Sequence, residues 1–449
     1  MENKDLHMFE YRGIKLVYDV HSGSLHRVDE LGWQIVQLLL DGKSNEEIPF
    51  YLAPQFPPAE VEEALGQVKD LVEKRLLFAP SPAVRPAKDR EVRALCLFVS
   101  HGCNLRCKYC FTQQQQGSRM TERETMKKEV GKKAVDFLLG SGEGPFREID
   151  FFGGEPLLNY SLVKEVVSYA RENESLWGKK FNFTLTTNAL LLNKQVADHI
   201  SSENISVILS LDGRPEVNDA LRTTADGSGS YKTVVKNIHI LLDRREPPHH
   251  YIRGTITRNN LDFCNDIEHL LEQGFYNLSL EPAVLDRDSA LSLREKDLPR
   301  LEEQYDLLVE LYLQRHKEGQ PFSFYHFELD LEKGPCIYKR LSGCGAGIDY
   351  MAVAADGSLY PCHQFIGEHS FYMGNVLSGQ PLQSSGLRNK LAIAAEDRDD
   401  CYFCWARYLC GRGCAAASYY LGGALEETYD LGCALQKIRL ERALYLQAV

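Results

Sequence analysis

No stretch of the 449 residues holds the ~18–20 consecutive apolar residues of a membrane-spanning helix, so none is expected. The first residues, MENKDLHMFEYRG, lack a basic start followed by an apolar run, so no secretory signal is expected and a cytoplasmic location is. No self-similarity of solenoid period is present, which excludes a repeat array. Positive charge is in deficit: 51 Lys and Arg stand against 63 Asp and Glu, a net charge of −12. That argues against a general nucleic-acid binder. With 44% hydrophobic and 25% charged residues, bulk disorder is excluded as well. The length suits two or three domains.

What is present in unusual amount is cysteine, thirteen in all. An odd number fits a closed disulfide framework poorly, and clustered cysteines in a long chain point to metal or catalysis. Three fall within residues 103–110 and four within 401–414, bunching that scattered core cysteines would not show.

Around these clusters the chain divides into segments. Residues 1–78 predict three short strands (HMFEYRG, IKLVYDV, SGSLHRV) and then three helices, the first capped by Asp29, the second by Ser44, the third opened by Pro57 and Pro58. This is a winged-helix-like α+β unit. A linker rich in Pro and charge, 79–91, follows. From 92 to 325, six apolar strands alternate with helical patterns near 121–139, 161–175, 193–202, 231–244, 261–273 and 297–317. The fold class is therefore α/β with a parallel sheet, either doubly wound or a partial barrel. Glu155, Asn188, Asp212 and Glu281 end strands, where such folds place active sites. Residues 326–449 turn dense in cysteine and glycine, the texture of a small domain held by metal, and close with a helix.

Cys103, Cys107 and Cys110 stand in the spacing C-x3-C-x2-C directly after a strand. A short loop can fold three thiolates around one iron–sulfur cube, leaving one iron open, since cubanes usually take four cysteines. Zinc is the alternative, but it wants a fourth ligand, and His101 is poorly placed by sequence alone. The Gly-rich GSGEG at 140–144 precedes a strand and lacks G-K-[ST], so it is no phosphate loop.

With aromatic Tyr109 before its third cysteine, the motif resembles that of the radical S-adenosylmethionine (SAM) superfamily. The resemblance implies a partial (β/α)6 barrel over 92–325 and a SAM-binding 4Fe–4S cluster on the three cysteines. It assigns FFGGEP, with Gly153, Gly154 and Glu155, to the SAM amino group. TTN, ending at Asn188, and SLDG, with Ser210 and Asp212, take the ribose and methionine parts, and Arg222 is a candidate for the SAM carboxylate. The open iron would take SAM's amine and carboxylate, and the adenosyl radical released from SAM would abstract hydrogen from an unactivated C–H bond.

The C-terminal spacing resembles the SPASM domain of peptide-modifying radical SAM enzymes. This implies one auxiliary 4Fe–4S cluster on Cys401, Cys404, Cys410 and Cys433, and three corners of another on Cys344, Cys362 and Cys414. A zinc ribbon is the alternative. The eighth corner belongs either to Cys336 or to a substrate thiolate, and the sequence supports both. Cys96 and Cys264 read as small buried hydrophobes. Residues 1–78 resemble the peptide-recognition element of ribosomal peptide maturation systems, which binds a leader as an added strand. The alternative, a DNA-binding winged helix, is disfavoured by the acidic excess of the third helix.

The whole arrangement resembles the maturases of peptides with six cysteines in forty-five residues, which join a cysteine sulfur to a backbone α-carbon. The expected partners are a leader-bearing precursor peptide and an electron donor such as flavodoxin or ferredoxin. Carbon–carbon crosslinking or oxidation of a Ser or Cys side chain is the alternative chemistry. A non-catalytic electron carrier is disfavoured, because it needs no open SAM site.

Overall fold

The computed structural model describes residues 5–81, 91–114, 124–244, 249–331, 343–378 and 385–449. Cys336 lies outside the described residues. The N-terminal sheet has β1 (Leu6–Tyr11), β2 (Ile14–Asp19) and β3 (Leu25–Val28) in that order, all antiparallel. Arg12 and Gly13 turn the first hairpin with φ of 52° and 75°, the two positive angles that a two-residue loop needs to match strand twist. Asp29 caps the helix Glu30–Leu40 by accepting from Gly32 N at 2.8 Å. Helices Ile48–Leu52 and Pro58–Glu73 complete the three-strand, three-helix plan and share a core of Val17, Ile35, Ile48 and Leu65.

The central sheet runs in parallel through β4 (Ala94–Ser100), β6 (Phe146–Gly153), β7 (Lys180–Thr187), β8 (Ser206–Ser210), β10 (His250–Ile256) and β11 (Asn277–Pro282), with β12 (Ser323–Phe324) at its edge. Helices Lys128–Leu139, Tyr160–Trp177, Lys194–Ser202, Tyr231–Leu242, Phe263–Glu272 and Leu298–Lys317 alternate with these strands. The first was expected from 121, and 121–123 lie outside the described residues. It starts at Lys128, because Met126 N donates to Val99 O and Thr125 bridges to Ser100, so these two residues extend the sheet. Alternation sorts the strand faces. Leu95, Leu97 and Val99 pack under the helices, while Cys96 and Phe98 face inward. Two short strands that periodicity does not reveal, β5 (Leu105–Cys107) and β9 (Arg222–Thr224), pair antiparallel.

The cysteine-rich part is not detached from this sheet. β13 (Tyr350–Val353) pairs in parallel with β4, and β14 (Ser358–Tyr360) and β15 (Gly374–Asn375) follow antiparallel, giving ten strands. Ile348, Phe365 and Ala416 meet the inward Cys96 and Phe98 in one cluster, so this part covers the inner face of β4. The last helix, Asp430–Ala448, lies on Leu298–Lys317, where buried Arg442 binds Asp306 at 2.9 Å and Glu302 at 2.8 Å. The N-terminal unit is also docked. His7 stacks on Trp405 with centroids 3.8 Å apart and bonds Glu441 at 2.9 Å, and Tyr11 donates to Asp306 at 2.7 Å. Among the described residues no helix is long and apolar enough to cross a membrane.

Candidate active site at the strand ends

The chain leaves β4 as a loop carrying Cys103, Cys107 and Cys110, and three attachments fix that loop. Gly153 and Gly154 press against its start. A Cβ on Gly153 would fall 2.3 Å from Ser100 O, and one on Gly154 would fall 2.4 Å from Gly102 O. Only glycine permits this approach. Pairing of β5 with β9 sets Arg222 opposite Cys107. Asn188, just past β7, donates to Asn104 Oδ1 at 2.8 Å and lies 3.7 Å from Cys103 Sγ.

The three thiols converge. The charge of Cys110 is felt by Cys103 and Cys107, and Cys107 feels Cys103 as well. Burial pushes Cys103 up to about 11 and Cys107 up to about 12. Ligation to iron is what would make them thiolates at neutral pH. All three are free of disulfides, and this soft donor set fits an iron–sulfur cluster.

Glu155 is fully buried and accepts from Leu157 N at 2.9 Å, Thr187 Oγ1 at 2.7 Å and Asn188 N at 2.8 Å. Its carboxylate ties the glycine turn to the end of β7, and burial raises its pKa. Thus Glu155 holds Asn188 in place beside the cysteine loop. Across the loop, Tyr109 donates to Asp212 Oδ2 at 2.6 Å, and Arg222 donates to Tyr109 Oη at 2.6 Å and lies 3.8 Å from Asp212. Asp212 and Arg222 are buried, Tyr109 is half-buried, and Arg222 Nε has no hydrogen-bond partner. Burial raises Asp212 in spite of the guanidinium, and the buried anions around Arg222 hold it charged. Arg222 caps the helix Pro215–Leu221 and opens β9, which is what turns it toward Cys107.

The C-terminal thiols gather in two groups. Cys362 feels Cys344 and Cys414, and Cys414 feels Cys344. Cys410 feels Cys401, Cys404 and Cys433, and Cys433 feels Cys401 and Cys404. Among the described residues, no three His, Cys, Asp or Glu side chains take the arrangement of a single bound ion. Cys96 and Cys264 are buried in the apolar core.

Sequence reasoning singled out Glu281 but missed what surrounds it. His326 Nε2 lies 2.8 Å from Glu281 Oε1, and Arg439 of the last helix lies 3.5 Å from Oε2. These neighbours hold the Glu281 carboxyl down at about 2. Arg253, on the inner face of β10, contributes to the same field. An arginine inside YIRGTIT was the available signal. His326 and Arg439 left none, because only folding brings them to Glu281.

The family description of the Radical SAM superfamily matches residues 97–262. An uncharacterized protein of Methanocaldococcus jannaschii is 30% identical over 221 residues, covering 49% of this chain and 71% of that protein. The chain belongs to the radical SAM superfamily. The radical SAM match runs from β4 to beyond β10, and so contains the cysteine loop, Glu155, Asn188, Asp212 and Arg222. Similarity also reaches past it. The radical SAM cyclopropyl synthase TigE of Paramaledivibacter caminithermalis is 25% identical over 79% of this chain and 74% of its own length. The fold matches that of native anSMEcpe with bound AdoMet (TM-score 0.66, 21% identity, 80% of this chain, 99% of that one). It also matches Streptococcus suis SuiB bound to precursor peptide SuiA (TM-score 0.53, 16% identity, 96% and 99%).

Proposed function

We propose that this radical SAM protein matures a ribosomally made, cysteine-rich precursor peptide by forming thioether links from a Cys sulfur to the α-carbon of an acceptor residue. The observation that carries the proposal is the gathering of ten cysteines into three groups, one at the strand ends and two in the part that covers the inner sheet face. Cys103, Cys107 and Cys110 would hold the SAM-binding 4Fe–4S cluster. Cys401, Cys404, Cys410 and Cys433 would hold one auxiliary cluster, and Cys344, Cys362 and Cys414 another. SAM on the first cluster supplies a 5′-deoxyadenosyl radical able to take hydrogen from an unactivated C–H bond.

The chain's own residues bind and shield. Gly153 and Gly154 bring the cysteine loop against the turn assigned to the SAM amine, Asn188 and Ser210 face its ribose and methionine parts, and Tyr109 and Asp212 orient Arg222 toward its carboxylate. The N-terminal unit receives the leader. Among the described residues β3 pairs only with β2, and beside it lies a groove of about 680 Å³ lined by Leu25, His26, Arg27, Leu329 and Gln447. An edge strand offers free N–H and C=O groups to an added strand. That Streptococcus suis SuiB is known with a bound precursor peptide supports this use. A small acidic donor such as flavodoxin or ferredoxin supplies electrons, in the cytoplasm.

Similarity to a cyclopropyl synthase favours carbon–carbon bond formation as the second reading. Oxidation of a Ser or Cys side chain is a third. Mass spectrometry of a co-expressed precursor separates the first two. Both lose two hydrogens per link, and only thioether formation also removes a thiol that iodoacetamide would alkylate. Unmodified thiols in the product would overturn the thioether assignment.

A further inference from the structure

Parallel register aligns the inward side chains of the sheet in rows. Ser210, Arg253 and Ser279 share one row, and Thr255 and Glu281 share the next toward the strand ends. Ile252, Gly254 and Ile256 of β10 are buried toward the helices, so Arg253 projects to the inner side. There it is exposed, and its guanidinium makes no hydrogen bond or ion pair to a described residue. Its natural partner, Glu281, is already taken, with Oε1 facing His326 at 2.8 Å and Oε2 facing Arg439 at 3.5 Å. Two arginines therefore stand against one carboxylate. Arg439 Nε is buried without a partner as well. The next carboxylate inside, Asp150, aligns with Ser206, two rows below Ser210.

We propose that Arg253 is a specificity-determining residue that receives the side-chain carboxylate of an acidic residue in the peptide's modified region. This rests on the peptide-maturase reading above. A guanidinium fork suits a carboxylate and gains much less from a neutral amide. Its row holds Ser210, one of the residues assigned to SAM, so an acidic side chain bound there places its own neighbours beside the reactive position. Arg439 and His326 keep Glu281 from repelling that anion.

The test uses the reconstituted full-length enzyme and ligand-observed NMR with two small probes, Nα-acetyl-glutamate N-methylamide and its glutamine analogue. The glutamate probe should bind about tenfold more tightly, with or without saturating SAM. Arg253→Gln should remove the preference, and Arg253→Glu should shift it to a lysine probe. Equal binding of the two probes, or no binding of either at millimolar concentration, overturns the proposal. So does a preference that vanishes when SAM is added, because the guanidinium would then be serving SAM's own carboxylate. Failure of the maturase reading appears elsewhere, as absence of 5′-deoxyadenosine from wild-type enzyme given reductant and SAM, and leaves the probe preference readable.

Discussion

Arg222 is the residue whose replacement has the clearest cost. It is buried with Asp212, donates to the half-buried Tyr109, and caps a helix that turns into β9. Arg222→Met leaves the Asp212 carboxylate buried without its cation. That should cost about 3–5 kcal/mol in denaturant unfolding. Tyr109→Phe removes one hydroxyl and should cost only about 1–3 kcal/mol. Calorimetry should show SAM binding lost in the first variant. Asp150 gives a pH signature of opposite kind. Burial raises it to about 6 from an ordinary value near 4, so the folded state holds a proton that the unfolded chain has released. The stabilising proton is fully present below pH 4 and is lost as pH rises through 6. This contribution should fall by roughly 2–3 kcal/mol over that window. Asp150→Asn should flatten the stability profile there, and an unchanged profile would show that the carboxyl titrates normally.

Among elements, the N-terminal sheet and the loop after Cys404 behave as one packed layer. Tyr18, Val20, Trp405, Tyr408, Leu440 and Leu444 form a single buried cluster, with His7 stacked across it. Trp405→Ala should therefore cost about 3–5 kcal/mol, while His7→Ala, which removes the stack on Trp405 and the bond to Glu441, should cost about 1–2 kcal/mol. Hydrogen exchange should show β1 and β2 losing protection in Trp405→Ala although the substitution lies in the cysteine-rich part. Exchange confined to residues near 405 would mean the layer is not cooperative. The same packing bears on leader binding. Deleting residues 1–78 exposes this cluster, so the clean test of β3 is substitution in its open groove. Arg27→Glu should weaken binding of a leader peptide and leave the Trp405 contact intact.

For the whole molecule, the three proposed cubanes would amount to about twelve irons per chain. Changing Cys103, Cys107 and Cys110 together to Ala should remove about four, leave the C-terminal groups loaded and abolish SAM cleavage. Retained cleavage in that variant would sink the assignment. Chelating all iron should unfold the cysteine-rich part first, because its regular elements are short and the proposed metal ligation would contribute folding energy there. The parallel sheet rests on a large apolar core, with residues such as Leu95, Phe151, Leu185 and Leu209 fully buried. It should keep its exchange protection, and near-uniform loss across both parts would contradict this.

The sequence by itself determined the fold class, the six alternating strand–helix units and the spacing of both cysteine clusters. These depend on local rules: apolar runs at strand period, capping residues such as Asp29, and short loops whose thiols have nowhere far to go. It also placed Glu155, Asn188 and Asp212 at strand ends, since parallel strands leave their C-terminal ends on one rim. What only the tertiary structure decided is which distant groups meet. Arg222 reaches Cys107 through a three-residue pairing of β5 with β9, too short to leave a periodic trace. Glu155 spends its carboxylate on Thr187 and Asn188, and the attachment of the cysteine-rich part to β4 rests on β13. The Glu281, His326 and Arg439 cluster joins residues up to 158 positions apart. Such contacts pay their loop-closure entropy only when barrel, helix and auxiliary part close together. No window of sequence contains that closure.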